Sequence, residues 1–246
     1  MAEHFHGIKK AVIVAAGRSR RLQERTQNIP KSLLPIGSHS LLERSIQTLK
    51  SYGIQEIAIV VGYQQETIRQ KFSHTENIAF IENTGFSNNN NLASLALCEA
   101  WTNNESFLYL HADLIFEPQI FEVDAINDNI TLWLDESSID AEAMKVKLDS
   151  NGDFVSSSKD IPLDEAAGEW LGITVFPAGT TTALFDCCRQ ILDNGGMMEY
   201  DTAAFNMLAR KNVTFDLHRV GGLKWTEVDF EEDYQRAKEL FEKQKS

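Results

Sequence analysis

The chain has 246 residues and a formal net charge of −13, and hydrophobic residues make up 43% of it. A chain of this length buries about 70–75% of its unfolded surface, so it needs no disulfide or metal to hold a core together. The strong negative charge argues against nucleic acid as a partner, because phosphate backbones repel an acidic surface. We expect no membrane span, since no apolar run approaches the roughly 20 residues that a spanning helix needs.

The cysteines and the N-terminus point to a reducing compartment. Cys98, Cys187 and Cys188 lack the number and spacing of a disulfide framework or a metal site. We therefore expect them to be reduced and buried, in a cytoplasmic protein. The first ten residues, MAEHFHGIKK, contain no apolar core of a signal peptide. The sequence does not set the oligomeric state, and a homodimer stays open.

Strands and helices alternate through the first half of the chain. Apolar runs and periodicity predict strands over 8–14, 56–61, 78–81 and 106–110, and helices over 40–52, 64–72 and 92–101. Ser40 is suited to cap the first helix and Gly53 to end it. This alternation is typical of an α/β protein with a mostly parallel sheet and helices on both faces. The loops after Val14, Ile81 and Leu110 would then share one crevice at the carboxyl ends of the strands.

The second half has a different order of elements. It predicts strands over 143–148, 153–156, 170–176 and 213–217, and helices over 180–192, 202–210 and 231–243. Asn151-Gly152 is a strong hairpin signal between the first two of these strands. We expect one domain over residues 1–246, in which the second half extends the sheet of the first.

A loop dense in positive charge follows the first predicted strand. Ala15, Ala16 and Gly17 allow the backbone to approach a ligand closely, and Gly17 tolerates a positive φ. Backbone amides in such a turn form a concave anion site, to which Arg21 and Lys31 add charged donors. The alternative is a Rossmann-type turn with solvent-facing arginines. The Pro-Lys pair that ends at Lys31 favours the anion site.

The segments AAGRSRRL and IPKSLLPIG resemble the signature of nucleotidyltransferases that act on nucleoside triphosphates. The family pattern is roughly L-A-A-G-x-G-S/T-R-L, followed by P-K-x-L. Ser19 replaces its second glycine, and Arg20 replaces its Ser/Thr. The resemblance implies a Rossmann-like, three-layer α/β/α nucleotidyltransferase fold. In that fold this loop, with Arg18, Ser19 and Arg20, wraps the triphosphate, and Lys31 lies near the α-phosphate.

Two aspartates stand at the ends of predicted elements. Asp113 follows the strand SFLYL, and Asp229 precedes the last helix. By position alone, a turn or a helix N-cap explains each of them at least as well as a metal site. HADLIF and WTEVDFEEDYQRA, however, resemble family segments that bind magnesium. The resemblance implies Mg²⁺ as cofactor, Asp113 and Asp229 as its ligands, and Glu227 as a supporting carboxylate.

The segment NNLASL resembles the N-N-x-x-S-L motif of phosphocholine and 2-aminoethylphosphonate cytidylyltransferases. In those families the region lies against the cytosine and the ribose. The resemblance implies nucleotide contacts from Asn90, Asn91 and Ser94, and Glu82 is a further candidate. For most of the asparagines, a capped loop is the alternative explanation.

Residues 1–135 would then bind the triphosphate, and residues 136–246 would bind the acceptor and complete the metal site. SSSKDI resembles a family segment whose lysine meets the acceptor phosphate, which implies that role for Lys159. AAGEWLGITVF resembles a segment of the same cytidylyltransferase branch, and Glu169 there would face a cationic head group. Aromatic rings attract an ammonium ion, although aromatics near strands more often belong to the core. The further acceptor candidates are Trp170, Tyr200, Asp201, Trp225 and Glu227.

The sequence therefore predicts a Mg²⁺-dependent cytidylyltransferase that couples CTP to a small phosphorylated alcohol or phosphonate and releases pyrophosphate. Acceptors of the 2-aminoethylphosphonate or phosphocholine type are favoured over other acceptors. A sugar-1-phosphate or polyol-phosphate nucleotidylyltransferase, using CTP or another NTP, is the alternative within the family. A non-catalytic nucleotide-binding regulatory domain is the alternative of another class, and the retained aspartates and lysine argue against it. Small molecules are the expected partners, with neither nucleic acid nor membrane.

Overall fold

The computed structural model describes residues 7–19, 21–26, 29–123, 126–137 and 139–241. None of the helices in this part of the chain is long and apolar enough to cross a membrane. The α-helices are α1 (Gln23–Thr26), α2 (Leu41–Ser51), α3 (Gln65–Lys71), α4 (Asn91–Ala96), α5 (Glu99–Thr102), α6 (Ala178–Asp193), α7 (Thr202–Arg210) and α8 (Glu231–Phe241). The strands are β1 (Lys10–Ala15), β2 (Pro35–Ile36), β3 (His39–Ser40), β4 (Glu56–Val61), β5 (Ile78–Glu82), β6 (Phe107–His111), β7 (Leu114–Phe116), β8 (Ile130–Asp135), β9 (Lys145–Leu148), β10 (Phe154–Ser158), β11 (Gly168–Phe176), β12 (Phe215–Arg219) and β13 (Trp225–Glu227).

Nine strands form one mixed sheet. Its main path runs β10-β9-β11-β6-β1-β4-β5, while β8 pairs with β11 and β12 pairs with β8. The strands β6, β1, β4 and β5 are parallel, and β11 runs antiparallel to β6, β8 and β9. The predicted α/β fold class is confirmed, with strands from the second half of the chain in the same sheet as those of the first.

The sheet is covered by helices on both faces, and β1 shows why. All its residues are buried, and successive side chains of a strand point to opposite faces. Ala11 and Ile13 pack in one core cluster with residues of α2 and α3. Val12 and Val14 pack in another cluster with residues of α4, α6 and α7. A strand that is apolar on both faces is stable only in such a three-layer arrangement.

The helix α2 begins as its sequence predicts. Ser40 Oγ accepts a hydrogen bond from Glu43 N at 3.3 Å, and Glu43 Oε2 accepts one from Ser40 N at 2.8 Å. This capping box satisfies two backbone donors that have no partner within the helix. Leu42, Ile46 and Leu49 of α2 are buried, which places the helix against the sheet.

Two features of the fold differ from the sequence prediction. The strand β8, which has the sequence ITLWLD, was not predicted, and all its residues are buried. The helix predicted over 92–101 divides into α4 and α5. Cys98 N donates to Leu95 O, three residues back, and such a tighter turn interrupts an α-helix. The predicted end of the last helix, beyond Phe241, lies outside the described residues.

A small antiparallel sheet of β7 and β13 brings the end of the chain back to its first half. Glu227 pairs with Leu114 in this sheet, and Val228 N donates to Asp113 O at 3.0 Å. The helix α8 then packs on β2, where Tyr234 OH donates to Pro35 O at 2.7 Å. These contacts hold the segment after β13 beside the segment after β6.

Candidate active site

A cleft of about 770 Å³ opens at the carboxyl ends of β1 and β6. It is bounded by the loop that follows β1, here called the opening loop, by the loop after β5 and by segments of the second half of the chain. Most of the residues that the sequence singled out line it. These are Ala15, Gly17, Arg18, Ser19, Arg21, Lys31, Asn90, Asn91, Asp113, Lys159, Glu169, Trp170, Tyr200, Glu227 and Asp229.

Some predicted nucleotide contacts do not line the cleft. Ala16 is buried in the core beside β1, and its carbonyl accepts a hydrogen bond from Tyr63 N. Ser94 is buried, and its Oγ accepts a hydrogen bond from the side chain of Asn83. Glu82 is exposed and accepts a hydrogen bond from the Gln65 side chain at 2.7 Å. Arg20 lies outside the described residues.

Two predicted acceptor contacts also point elsewhere. Asp201 is fully buried and caps α7, accepting a hydrogen bond from Thr202 N at 3.0 Å. Trp225 lies on β13, and its Nε1 donates to Asp135 Oδ2 at 2.7 Å. Neither residue therefore presents a surface to the cleft, because tertiary contacts occupy its polar atoms.

Three carboxylates meet at one end of the cleft. Oxygen atoms of Asp113, Glu227 and Asp229 all lie within 4.8 Å of one another. Lys31 Nζ lies 2.5 Å from Asp113 Oδ2 and donates to Asp229 Oδ1 at 2.6 Å. Arg21 Nη1 donates to Asp229 Oδ2 at 2.9 Å. The charged loop of the first half thus contacts acidic residues from both halves of the chain.

The protonation equilibria of this cluster are strongly linked. Burial lowers the pKa of Lys31, but the charges of Asp113, Asp229 and Glu227 together outweigh burial and raise it. Burial alone would raise the pKa of Asp113, yet Lys31 and His111 hold it below the usual value. The pKa of Glu227 rises to about 7 through burial and the charge of Asp113. Lys31 therefore remains charged, and the three acidic groups have only part of their charge compensated.

This donor set suits a hard divalent cation. Mg²⁺ prefers oxygen ligands, and carboxylates are its usual protein ligands. Asp113 Oδ1 is buried and accepts no hydrogen bond from the described part of the chain. A buried carboxylate oxygen without a partner is costly, so a ligand at that position would stabilise it. Asp113, Glu227 and Asp229 are the residues that could hold such an ion.

The loop after β5 is organised by Asn83, which the sequence analysis did not single out. Its Nδ2 donates to Asn89 Oδ1 and to Ser94 Oγ, each at 3.0 Å. Its Oδ1 accepts from Asn89 Nδ2 and from Gly85 N, each at 3.0 Å. Buried polar groups satisfied in this way hold one loop conformation. The position of Asn83, two residues after the end of a predicted strand, was the signal available in the sequence.

Two aromatic residues line the cleft on the side of this loop. The Tyr63 and Phe86 ring centroids lie 6.4 Å apart, and Arg18 Cζ lies 5.4 Å from the Tyr63 ring. Gly62 is required beside them, because a Cβ there would lie 2.8 Å from both Ala16 O and Phe86 Cβ. The two rings and the arginine form a surface suited to a planar base.

His111 lines the centre of the cleft and has a buried partner. Its Nε2 donates to Asp201 Oδ2 at 2.7 Å, and Tyr109 OH donates to the same oxygen at 2.7 Å. Burial lowers the pKa of His111, but the charges of Asp201 and then Asp113 raise it to about 9. The sequence showed no partner for this histidine, because Asp201 stands 90 positions away.

Another part of the cleft, next to Arg21, which lies 3.8 Å from Glu142 Oε2, carries both charges and aromatic surface. Lys159 Nζ lies 3.8 Å from Glu142 Oε2 and 5.7 Å from the centre of the Tyr200 ring. The pKa of Glu169 rises to about 8, through burial and then the charge of Asp140. Trp170 is buried, and its Nε1 donates to Ile173 O at 2.9 Å. Its indole therefore belongs to the wall and offers the cleft no hydrogen-bond donor.

Comparison with known proteins identifies the half of the chain that carries the charged loop. Residues 11–123 match the family described as the MobA-like NTP transferase domain. The matched segment is 113 residues long, slightly less than half of the chain. It contains the opening loop, Lys31, the asparagine-rich loop and Asp113, while Glu227 and Asp229 come from beyond it.

Curated proteins that are similar to this chain include cytidylyltransferases. The chain is 32% identical over 117 residues to the CMP-5'-(3-aminopropyl)phosphonate synthase of Streptomyces rubellomurinus, covering 46% of this chain and 18% of that protein. It is 36% identical over 91 residues to the choline-phosphate cytidylyltransferase of Streptococcus pneumoniae, covering 36% of this chain and 38% of that protein. The chain thus spans less than two fifths of the length of either relative.

Structural similarity to a solved protein covers nearly the whole chain. The inositol-1-phosphate CTP transferase from T. maritima superposes with a TM-score of 0.78 at 19% identity, covering 97% of this chain and 98% of that one. The nucleotidyltransferase fold implied by the sequence resemblance is therefore confirmed. The cleft residues that sequence reasoning missed include Tyr63, Phe86, Ser87, Asn89, His111, Glu142, Met144 and Met198.

Proposed function

We propose that this chain is a Mg²⁺-dependent cytidylyltransferase that couples CTP to the phosphate or phosphonate oxygen of a small acceptor with a cationic end. The observation that carries the proposal is the contact of Lys31 with both Asp113 and Asp229 in the cleft. The names of the two curated relatives, a CMP-aminopropylphosphonate synthase and a choline-phosphate cytidylyltransferase, support the cytidylyl group and an aminated acceptor.

The opening loop is the proposed triphosphate site. Ala15, Gly17 and Ser19 line the cleft, where Arg18 and Arg21 would supply charged donors to the phosphates. The Tyr63 and Phe86 surface, together with Asn90 and Asn91, would bind the cytosine. Backbone donors recognise the phosphates through charge, whereas the asparagine amides can distinguish the edges of a base.

Asp113 and Asp229 would hold Mg²⁺, with Glu227 beside them. When bound, the ion neutralises charge on the phosphate oxygens and helps to align the reacting groups. Lys31 would donate to the α-phosphate, whose equatorial oxygens carry negative charge during transfer. Its raised pKa keeps it protonated for this role at neutral pH.

The reaction is an in-line displacement. An oxygen of the acceptor phosphate or phosphonate forms a bond to the α-phosphorus of CTP, and the bond from that phosphorus to the bridging oxygen of pyrophosphate breaks. The attacking oxygen is already anionic at neutral pH, so the reaction needs no strong general base. The chain contributes alignment and charge neutralisation, chiefly through Arg21 and Lys31.

Lys159 and Glu169 form the proposed acceptor site. Lys159 binds the phosphate or phosphonate, and Glu169 faces the cationic end. Burial is the largest cause of the raised pKa of Glu169, and the charges of Asp140, Glu227 and Asp135 raise it further, so acidic groups surround this part of the cavity. A bound cation would favour the ionised form of Glu169 and lower its pKa.

Pyrophosphate release tests the proposal. Each of four NTPs is paired with phosphocholine, 2-aminoethylphosphonate, a polyol phosphate and a sugar-1-phosphate, in the presence of Mg²⁺. We expect release with CTP and an aminated acceptor, and none from the Asp113→Asn variant. Release only with a sugar phosphate and UTP or GTP would contradict the cytidylyl assignment. Nucleotide binding without release under any pairing would favour a regulatory domain.

A further inference from the structure

Lys145, the first residue of β9, has a buried side chain that does not reach the cleft. It is only 2% exposed. Its Nζ donates to Ala141 O at 2.9 Å, to Ala143 O at 3.3 Å and to Lys159 O at 2.6 Å. A lysine ammonium has three N–H donors, so main-chain carbonyls occupy all of them. In the described part of the chain, no carboxylate forms an ion pair with it.

The three carbonyls belong to two separate segments of one cleft wall. The first is the turn 140–143, in which Asp140 Oδ1 accepts hydrogen bonds from Glu142 N at 2.8 Å and Ala143 N at 2.9 Å. The second is the residue after β10, Lys159. The Glu142 and Lys159 side chains both line the cleft. Lys145 therefore links the residues on either side of Glu142 to the main chain of Lys159, and it does not line the cleft itself.

The strand pairing shows why a side chain is needed at this place. Lys145 pairs with Ser158 on one side and with Glu169 on the other. The β9–β10 ladder ends at that register, so no further strand pairing orders Lys159. The Asn206 side chain holds the main chain of Ser157. Its Oδ1 accepts a hydrogen bond from Ser157 N at 2.7 Å, and its Nδ2 donates one to Ser157 O at 2.9 Å. The end of β10 is thus held by α7 and by Lys145.

We propose that Lys145 is a positioning residue for acceptor binding. By joining the turn 140–143 to the main chain of Lys159, it sets the direction from which the Lys159 ammonium meets the acceptor phosphate. The inference rests on the proposed function through the role of Lys159. Ordering the main chain in advance lowers the entropy cost of binding, and small displacements of a binding group are expensive.

A double-mutant cycle tests whether Lys145 acts through Lys159. The variants are Lys145→Met, Lys159→Met and the double substitution, each assayed for acceptor KM, kcat and CTP affinity. We expect Lys145→Met to raise the acceptor KM about tenfold, because Lys159 would no longer be held in position. The CTP affinity should change less than about twofold. In the Lys159→Met background, Lys145→Met should change the acceptor KM by less than about twofold.

Lys147→Met is the matched control, since Lys147 lies on the same strand, is exposed and pairs with Glu165. Additive effects in the double variant, or equal losses of CTP and acceptor affinity, would overturn the inference in favour of a merely structural role. Hydrogen exchange supplies a readout that needs no substrate. The Glu142 and Ala143 amides should exchange faster in Lys145→Met than in Lys147→Met, and equal rates would overturn the proposed link.

The two proposals fail in different ways. If the wild-type protein releases no pyrophosphate with any NTP and acceptor, the proposed function fails, and the acceptor role of Lys145 fails with it. If the wild type is active and Lys145→Met retains the wild-type acceptor KM, only the inference about Lys145 fails. Should Lys145→Met not fold, Lys145→Gln, which keeps an N–H donor on a shorter side chain, takes its place in the cycle.

Discussion

Lys31 Nζ donates to Asp229 Oδ1 at 2.6 Å, although the two residues stand 198 positions apart in the sequence. The pairing of β7 with β13 makes this contact by holding the segment after β13 beside Asp113. One lysine therefore compensates two carboxylates from the two halves of the chain.

Replacing Lys31 by Met should impair both catalysis and the metal-free fold. Loss of a donor at the transferring phosphate is expected to lower kcat about 10²–10³-fold. Without the ammonium, Asp113 and Asp229 repel each other, so the unfolding midpoint in EDTA should fall. Kinetics and thermal unfolding measure the two effects. Lys71→Met, which removes an exposed lysine paired with Glu43, should leave kcat unchanged, and an equal loss there would contradict the assignment.

Asp113→Asn and Asp229→Asn should each abolish the stabilisation that Mg²⁺ confers. A ligand that binds only the folded state raises the unfolding midpoint, and a substituted carboxylate no longer provides a charged ligand. Thermal unfolding across a Mg²⁺ titration measures this without any substrate. The exposed Asp164→Asn variant is the control and should keep the full rise. A rise of wild-type size in either cleft variant would remove that residue from the metal site.

Glu169 should make stability depend on pH. Its pKa is about 8 in the folded state, above its ordinary value of 4.5, so the folded state holds a proton that the unfolded state has lost. Between these values, the free energy of unfolding falls as pH rises, by at most about 1.4 kcal/mol per pH unit. Glu169→Gln removes this dependence and should therefore exceed wild type in stability increasingly from pH 5 to pH 8. Below pH 4.5 the advantage should vanish.

Urea unfolding at pH 4, 6 and 8 measures the effect. Glu66→Gln, at an exposed glutamate on α3, should show a constant difference from wild type over the same range. If the Glu169→Gln difference were equally constant, the buried and acidic surroundings assigned to Glu169 would be wrong.

Gly172→Ala should cost more than Gly152→Ala, although both glycines have positive φ. Gly172 has φ of +78°, and a Cβ there would lie 3.0 Å from His111 Nδ1 and 3.1 Å from its Cγ. Gly152 has φ of +87°, and a Cβ there would meet nothing within 4 Å. Each alanine destabilises the fold by about 1–2 kcal/mol because of its positive φ. The difference between the two losses in free energy of unfolding therefore measures the contact with His111.

Urea unfolding gives the two free energies, and turnover gives the effect on the cleft. We expect Gly172→Ala alone to lower turnover, because a displaced His111 ring disturbs the centre of the cleft. Equal free energies of unfolding and equal turnover for the two variants would show that His111 tolerates displacement.

The sequence alone determined those features that depend on neighbouring residues. The apolar runs of β1 and β6, the Ser40 cap and the small residues before Arg18 are local signals, because strand propensity, capping and close backbone approach are set within a few positions. With the family resemblance, the same local motifs singled out Lys31, Asp113 and Asp229. Lys31, Asp113 and Asp229 all line the cleft.

Only the tertiary structure decided which polar side chains face the cleft and which hold it together. Ser94 and Asp201 carry suitable groups in suitable motifs, yet both are buried as partners of Asn83 and His111. Lys145 reads as an ordinary strand lysine, and its role follows from a carbonyl 14 positions away. A side chain's partner across the fold depends on strand order and register, and these are set by burial over the whole sheet.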